Sequence, residues 1–96
     1  MYARVTRFQM QVERREDASR ITEQEITPGL RGEPGFKHLY VLVAPESGQG
    51  MVVTLWESQA AEVASRPTTG QRFALLGEIL TGPPQPSEVY EVTAEG

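Results

Sequence analysis

Polarity alternates from the start of the chain. Tyr2, Arg4, Thr6, Phe8 and Met10 fall on one side of an extended segment, and Ala3, Val5, Arg7, Gln9 and Gln11 on the other. This two-residue period with β-branched and aromatic positions predicts a strand from about Tyr2 to Val12. The charged stretch Glu13 to Asp17 suits a turn into a helix. Ala18, Ile21, Thr22, Ile26 and Leu30 then recur at helical spacing, predicting a helix from Asp17 to Leu30 that Pro28 and Gly29 weaken at its end. Pro34-Gly35 marks a turn.

Phe36 to Val43 reads as a second strand, with Phe36, His38, Tyr40 and Leu42 on one face and Lys37, Leu39, Val41 and Val43 on the other. A turn over Pro45 to Gly50 leads into a third strand, Met51 to Trp56, and the pair predicts a hairpin. Ser58 suits an N-cap for a short helix, Gln59 to Ser65. Arg66 to Gly70 is expected to break that helix, and Gln71 to Thr81 to resume it. The proline-rich stretch Gly82 to Pro86 reads as a stiff connector, and Glu88 to Thr93 as a closing strand.

The order β-α-β-β-α-β predicts an α+β, ferredoxin-like domain with a four-stranded antiparallel sheet and both helices on one face. A sheet open to water on its other face should be polar there. The second and third strands are instead apolar on both faces. Nothing remains in the chain to cover the second face, so the pattern predicts a two-fold homodimer through the sheet face away from the helices. The expected buried area is about 2,000 Å² or more. Arg4 and Arg7 lie on opposite faces of the first strand. One of them must point to the covered side and find a partner there, and the sequence leaves open which.

Composition narrows the chemistry by exclusion. A chain of 96 residues allows one domain, 1–96, with a thin core. The absence of cysteine excludes disulfides and thiolate metal sites. With one histidine, one aspartate and no glycine-rich βα turn, no haem, flavin or metal is expected. A net charge of -4 argues against nucleic acid as a partner. No run is apolar enough to span a membrane, and the alternating N-terminus lacks the apolar core of a signal peptide, so a cytoplasmic protein is expected.

Several residues carry candidate chemistry. His38 could take a proton from an acidic phenol, or be a partly exposed strand residue with a satisfied hydrogen bond. Tyr40 could donate to a quinone-like oxygen, or simply pack. Arg72 could stabilise a phenolate, or face solvent. Gly48-Gln49-Gly50 sits inside the hairpin and reads as turn chemistry rather than a dinucleotide motif. The glutamates at 13, 16, 23 and 25 read as a solvated helical surface.

The segments MYARVTRFQ, ITPGL, PGFKHLYVLV, SGQGMVVTLWES and SEVYEV together resemble the antibiotic-biosynthesis-monooxygenase-like family of the dimeric α+β-barrel superfamily. The most specific piece is Thr54-Leu55-Trp56-Glu57-Ser58. The resemblance implies two sheets paired into a barrel with helices outside. It also implies that Trp56 faces a ligand cavity between sheet and helices, roofed by Phe73 or Leu76. It further implies a cofactor-independent monooxygenase acting on a small aromatic or phenolic ligand; on that reading the candidate residues take roles, Trp56 and His38 as catalytic and Tyr40, Arg72, Phe73 and Leu76 as substrate-binding. The alternative is a non-catalytic ligand-binding or stress-responsive homodimer. Two departures count against the family's chemistry. The haem-degrading branch uses an Asn and a His that ligates iron from the helix after the Trp motif, and the oxygenase branch uses an Asn near the Trp. This chain has no Asn and no His after His38.

Overall fold

The computed structural model describes residues 1–96. Four strands, β1 (Tyr2–Gln9), β2 (Phe36–Val43), β3 (Gln49–Trp56) and β4 (Glu88–Glu91), form one sheet. Their spatial order is β2-β3-β1-β4 and every neighbouring pair is antiparallel. Helices follow β1 and β3. This is the ferredoxin-like α+β arrangement that the order of elements predicts.

The hairpin is held by glycine where only glycine fits. Gly48 has φ +78° and is buried, and a Cβ there would collide with the Met10 carbonyl oxygen. The Met10 N–H donates to the Gly48 carbonyl at 2.9 Å, tying the hairpin loop to the end of β1. One register further on, Gly50 faces Phe8 across β1–β3, and the Phe8 ring occupies the space a Cβ would take.

The first helical segment begins earlier than its apolar spacing predicts. A 3₁₀ turn, Val12–Arg14, leads into α1 (Arg15–Ile21), a π-helical turn (Thr22–Ile26) and α2 (Thr27–Arg31). Pro28 does not end the helix. It sits in the first turn of α2, where its missing N–H costs least. The backbone widens just before it, with the Thr27 N–H donating to the Thr22 carbonyl.

The expected break at Arg66 to Gly70 is absent. Helix α3 runs unbroken from Gln59 to Phe73 with Pro67 inside it. Pro67 has no N–H for the Val63 carbonyl, but Val63 is exposed, so water can satisfy that oxygen. Ser58 caps the helix, its hydroxyl accepting from the Ala61 N–H at 3.1 Å. The predicted second helix, Gln71 to Thr81, shrinks to a 3₁₀ turn, Ala74–Leu76.

The two sheet faces differ sharply. Phe8, Met10, Val52 and Trp56 on one face are buried under Ala18, Ile26, Leu30, Leu76 and Ile79. The other face is bare. Tyr40, Leu42 and Tyr90 are about half exposed there. The pairings Tyr40–Val53–Val5 and Leu42–Met51 make an apolar patch on this face, bordered by the Arg7–Glu88 ion pair.

One facing in β2 differs from the simple alternation. The register of β2 against β3 shifts between Phe36 and His38, a bulge at Lys37. Phe36 therefore joins Leu39, Val41 and Val43 against the core, and its ring meets Trp56 edge-on at 5.4 Å. His38 and Tyr40 are left on the bare face, their rings 4.5 Å apart.

Candidate functional site

Between the sheet and the C-terminal part of α3 lies a cavity of 460 Å³. That volume lies within the range of small-molecule sites. Arg4, Thr6 and Phe8 of β1 and Val52 and Thr54 of β3 form its floor. Thr69, Gly70 and Phe73 of α3 form its roof, continued by Ala74, Leu76, Gly77 and Leu80. Pro84 to Ser87 close one side. The stiff connector thus has a job beyond leading into β4. Its Gln85 N–H donates to the Arg7 carbonyl at 2.9 Å, which holds the proline segment along the edge of β1.

The wall is mostly apolar, with hydroxyls set into it. Thr6 Oγ1 and Ser87 Oγ are bonded to one another at 2.6 Å. Thr54 Oγ1 accepts from Trp56 Nε1 at 2.9 Å, and both residues are buried. Thr69 Oγ1 donates to Ser65 Oγ at 3.4 Å, and Ser65 Oγ donates to the Glu62 carbonyl at 2.7 Å.

Arg4 is the one charged side chain among the lining residues. Behind it lies Glu62, which is wholly buried in the first half of α3. Glu62 accepts from Arg66 Nε at 3.1 and 3.2 Å and from Arg66 Nη2 at 3.0 Å, while Arg4 Nε stands 3.8 Å from Glu62 Oε1. Burial of Arg4 pushes its guanidinium below the usual arginine range; the negative charge of Glu62 opposes that and the positive charge of Arg66 adds to it. Hydrogen bonding and charge from Glu62 raise Arg66. The question left open between the two arginines is resolved: Arg4 faces the helices and pairs with Glu62, and Arg7 pairs with Glu88.

The six residues singled out in the sequence do not gather in one place. Phe73 and Leu76 line the cavity. Trp56 is fully buried but is not in the wall; it touches the wall through Thr54. His38 and Tyr40 stand on the far side of the sheet, because the bulge at Lys37 turns them away from the helices. Arg72 is exposed, and its guanidinium lies against Gly29 of α2, so it does not reach in as an anion stabiliser.

Arg4 and Glu62 are the residues that sequence reasoning passed over. Hydropathy alone assigns polar helix positions such as that of Glu62 to solvent, so the sequence carried no signal for them. Glu62, Ser65 and Thr69 recur at helical spacing and are all buried, while Val63 is half exposed. The helix buries its polar stripe, the reverse of ordinary amphipathicity.

A ferredoxin-like sheet with a small-molecule-sized cavity under its second helix defines the class of protein. Residues 1–71 match the family model described as antibiotic biosynthesis monooxygenase, and the chain belongs to that family. No curated protein matches the chain by sequence. Solved structures do match it. A monooxygenase of Streptomyces coelicolor, in complex with nanaomycin D, superposes with a TM-score of 0.77 at 16% identity, covering 98% of this chain and 88% of that one. The Mycobacterium tuberculosis protein Rv0793 gives a TM-score of 0.67 at 24% identity, covering 98% and 96%. The haem degrader MhuD of the same organism, with two haems bound in its active site, gives 0.73 at 18% identity, covering 100% and 99%. At these identities the likenesses carry the fold alone.

Haem does not fit this cavity. Its lining holds no His, Cys, Met, Tyr or carboxylate to ligate iron. No three metal-ligating side chains come together anywhere in the chain. No helix is long and apolar enough to cross a membrane.

Proposed function

We propose that this protein is a homodimeric ligand-binding member of its family, taking one small aromatic molecule per subunit into the cavity between sheet and α3. The observation that carries the reading is the 460 Å³ cavity itself. The cavity is partly open to solvent and its wall is mostly apolar, so exchanging the water it holds for an apolar ring is favourable. The aromatic character of the ligand is supported by Phe73, Phe8 and Pro84, whose flat faces suit a ring. The homodimer is supported by the bare apolar face around Tyr40, Leu42 and Val53.

Cofactor-independent oxygenation is the second reading, favoured by the family match. That chemistry requires a substrate ionised to an electron-rich anion, a dry pocket and room for dioxygen. No side chain in the cavity is placed as a general base, so the substrate would have to be acidic enough to enter already ionised. His38, the base the sequence suggested, stands on the opposite face of the sheet and does not line the cavity.

Native mass spectrometry of the protein as purified tests the binding reading, followed by titration with naphthalene- and anthraquinone-type compounds. Saturable binding at one molecule per subunit, lost in Phe73→Ala, is expected. Absence of any saturable binding overturns it. Oxygen uptake with quinol substrates then separates the two readings: turnover selects the oxygenase and its absence the binding protein.

A further inference from the structure

From the arrangement of Arg4, Glu62 and Arg66 we infer that the cavity selects an anion: an aromatic body carrying one carboxylate or phenolate, anchored by the Arg4 guanidinium. The inference rests on the reading that the cavity holds a ligand, and it names the ligand's charge and the residue that recognises it.

The argument starts from charge balance. Glu62 is buried and its two carboxylate oxygens are already engaged by Arg66, which approaches at 3.0 to 3.2 Å. Arg4 stands further off, at 3.8 Å, beyond hydrogen-bond distance. One carboxylate therefore faces two guanidinium groups, and the cluster keeps a net positive charge. Arg66 lies on the solvent side, with its side chain 50% exposed. Arg4 has 20% of its side chain exposed and lines the cavity. The uncompensated charge is thus on the cavity side.

Donor capacity points the same way. A guanidinium carries five N–H donors in a planar fork. The ion pair with Glu62 is the one polar contact the structure gives the Arg4 side chain. The nearby hydroxyls do not serve it: Thr6 is bonded to Ser87 and Thr54 to Trp56. Yet no fully buried side-chain nitrogen lacks a partner, so the free edge of the fork opens onto accessible space. A cationic fork with open donors, in a wall that is otherwise apolar, matches an oxyanion two-pronged, as it matches a carboxylate in protein interiors. Glu62 is the positioning residue, because it holds the guanidinium by its Nε side and leaves the rest free.

The test compares isosteres that differ in charge. The probes are 2-naphthoate, 2-naphthamide and 2-naphthol, titrated at neutral pH by calorimetry. Naphthoate is expected to bind about tenfold tighter than the amide, which matches the differential worth of a charge-assisted hydrogen bond. Arg4→Gln should abolish that preference while leaving amide binding within about twofold. Arg20→Gln, on the exposed surface of α1, should leave the preference intact. If Arg4→Gln does not fold, Arg4→Gln with Glu62→Gln removes both charges together and carries the same comparison. Equal binding of naphthoate and naphthamide by the native protein overturns the inference but keeps the ligand-binding reading. An anion preference that survives loss of Arg4 also overturns it. If no probe binds, both readings fall.

Discussion

Trp56 lies outside the cavity, and its indole N–H reaches the cavity wall by donating to Thr54 Oγ1 at 2.9 Å. Both side chains are essentially inaccessible to solvent. The tryptophan therefore holds the threonine hydroxyl in place, and its own bulk packs against Phe36. Thr54→Val is expected to cost about 1–3 kcal/mol, because it orphans a buried N–H. Trp56→Phe should cost a comparable amount, while Trp56→Ala should cost about 3–5 kcal/mol through the void it leaves. The combination Trp56→Phe with Thr54→Val should be less destabilising than the sum of the two. Urea denaturation of the four proteins checks this, and strict additivity would show that the hydrogen bond contributes nothing.

Glu62 gives a sharper test of buried charge. Glu62→Ala strands Arg4 in a partly desolvated site and is expected to cost about 3–5 kcal/mol. Arg4→Met combined with Glu62→Leu removes both buried charges and fills the space with apolar atoms. It should recover most of that loss, since an apolar replacement of a buried pair is often neutral or stabilising. Arg66 is half exposed, so water can solvate it once Glu62 is replaced in either variant. A double variant less stable than Glu62→Ala would mean that the pair holds the fold together by itself.

Period-two alternation made β1, the β2–β3 hairpin and β4 legible, and with them the topology. Alternation also put Thr54 and Trp56 on one face, while leaving open which of Arg4 and Arg7 faced the helices. It failed at β2, because a bulge shifts facing by one residue and Lys37 carries no glycine or proline to mark it. It failed again in α3. A proline inside a helix ordinarily signals a stop, yet α3 runs through Pro67, whose missing N–H falls opposite the half-exposed residue Val63. The candidate site was the least legible part. Hydropathy assigns the stripe Glu62, Ser65 and Thr69 to solvent, and only tertiary packing shows that it is buried against β1 and β3. Helical spacing put Phe73 and Leu76 on one apolar side, and the family resemblance, not the spacing, pointed to a cavity beneath them, which they line.

Asp17, in α1, links stability to pH. Its Oδ2 accepts from Arg14 Nε at 3.2 Å and its Oδ1 from Arg20 Nη2 at 3.3 Å. Hydrogen bonds from Arg14, then Arg20, hold its carboxyl below the ordinary carboxylate value. A depressed folded-state pKa means that the contribution is present above the unfolded value. It is lost as pH falls through the folded one. Asp17→Asn should therefore lower the melting temperature at pH 7, and the gap to the native protein should close below about pH 4. A gap unchanged between pH 7 and pH 3 would show that the ion pairs are screened to nothing, as exposed pairs often are.

The bare sheet face yields the prediction with the largest readout. Val53 sits near its centre, opposite Val5 on one side and Tyr40 on the other. In an isolated subunit that position is half-buried, so a glutamate there can reach water along the sheet surface and the fold should tolerate it. In a dimer formed through this face, the same glutamate meets its own symmetry mate across an apolar interface. Burying an unpaired charge costs several kcal/mol, so Val53→Glu should raise the dissociation constant by about a hundredfold or more. Sedimentation velocity at low micromolar concentration should show the native protein as a dimer and Val53→Glu as a folded monomer with unchanged far-ultraviolet circular dichroism. A control change on the helix side, Ser19→Glu on the exposed surface of α1, should leave the dimer intact. If the native protein sediments as a stable monomer, the apolar face has no partner in its own copy. The patch around Tyr40, Leu42 and Val53 would then be exposed without cover from a second copy, and the homodimer would be overturned.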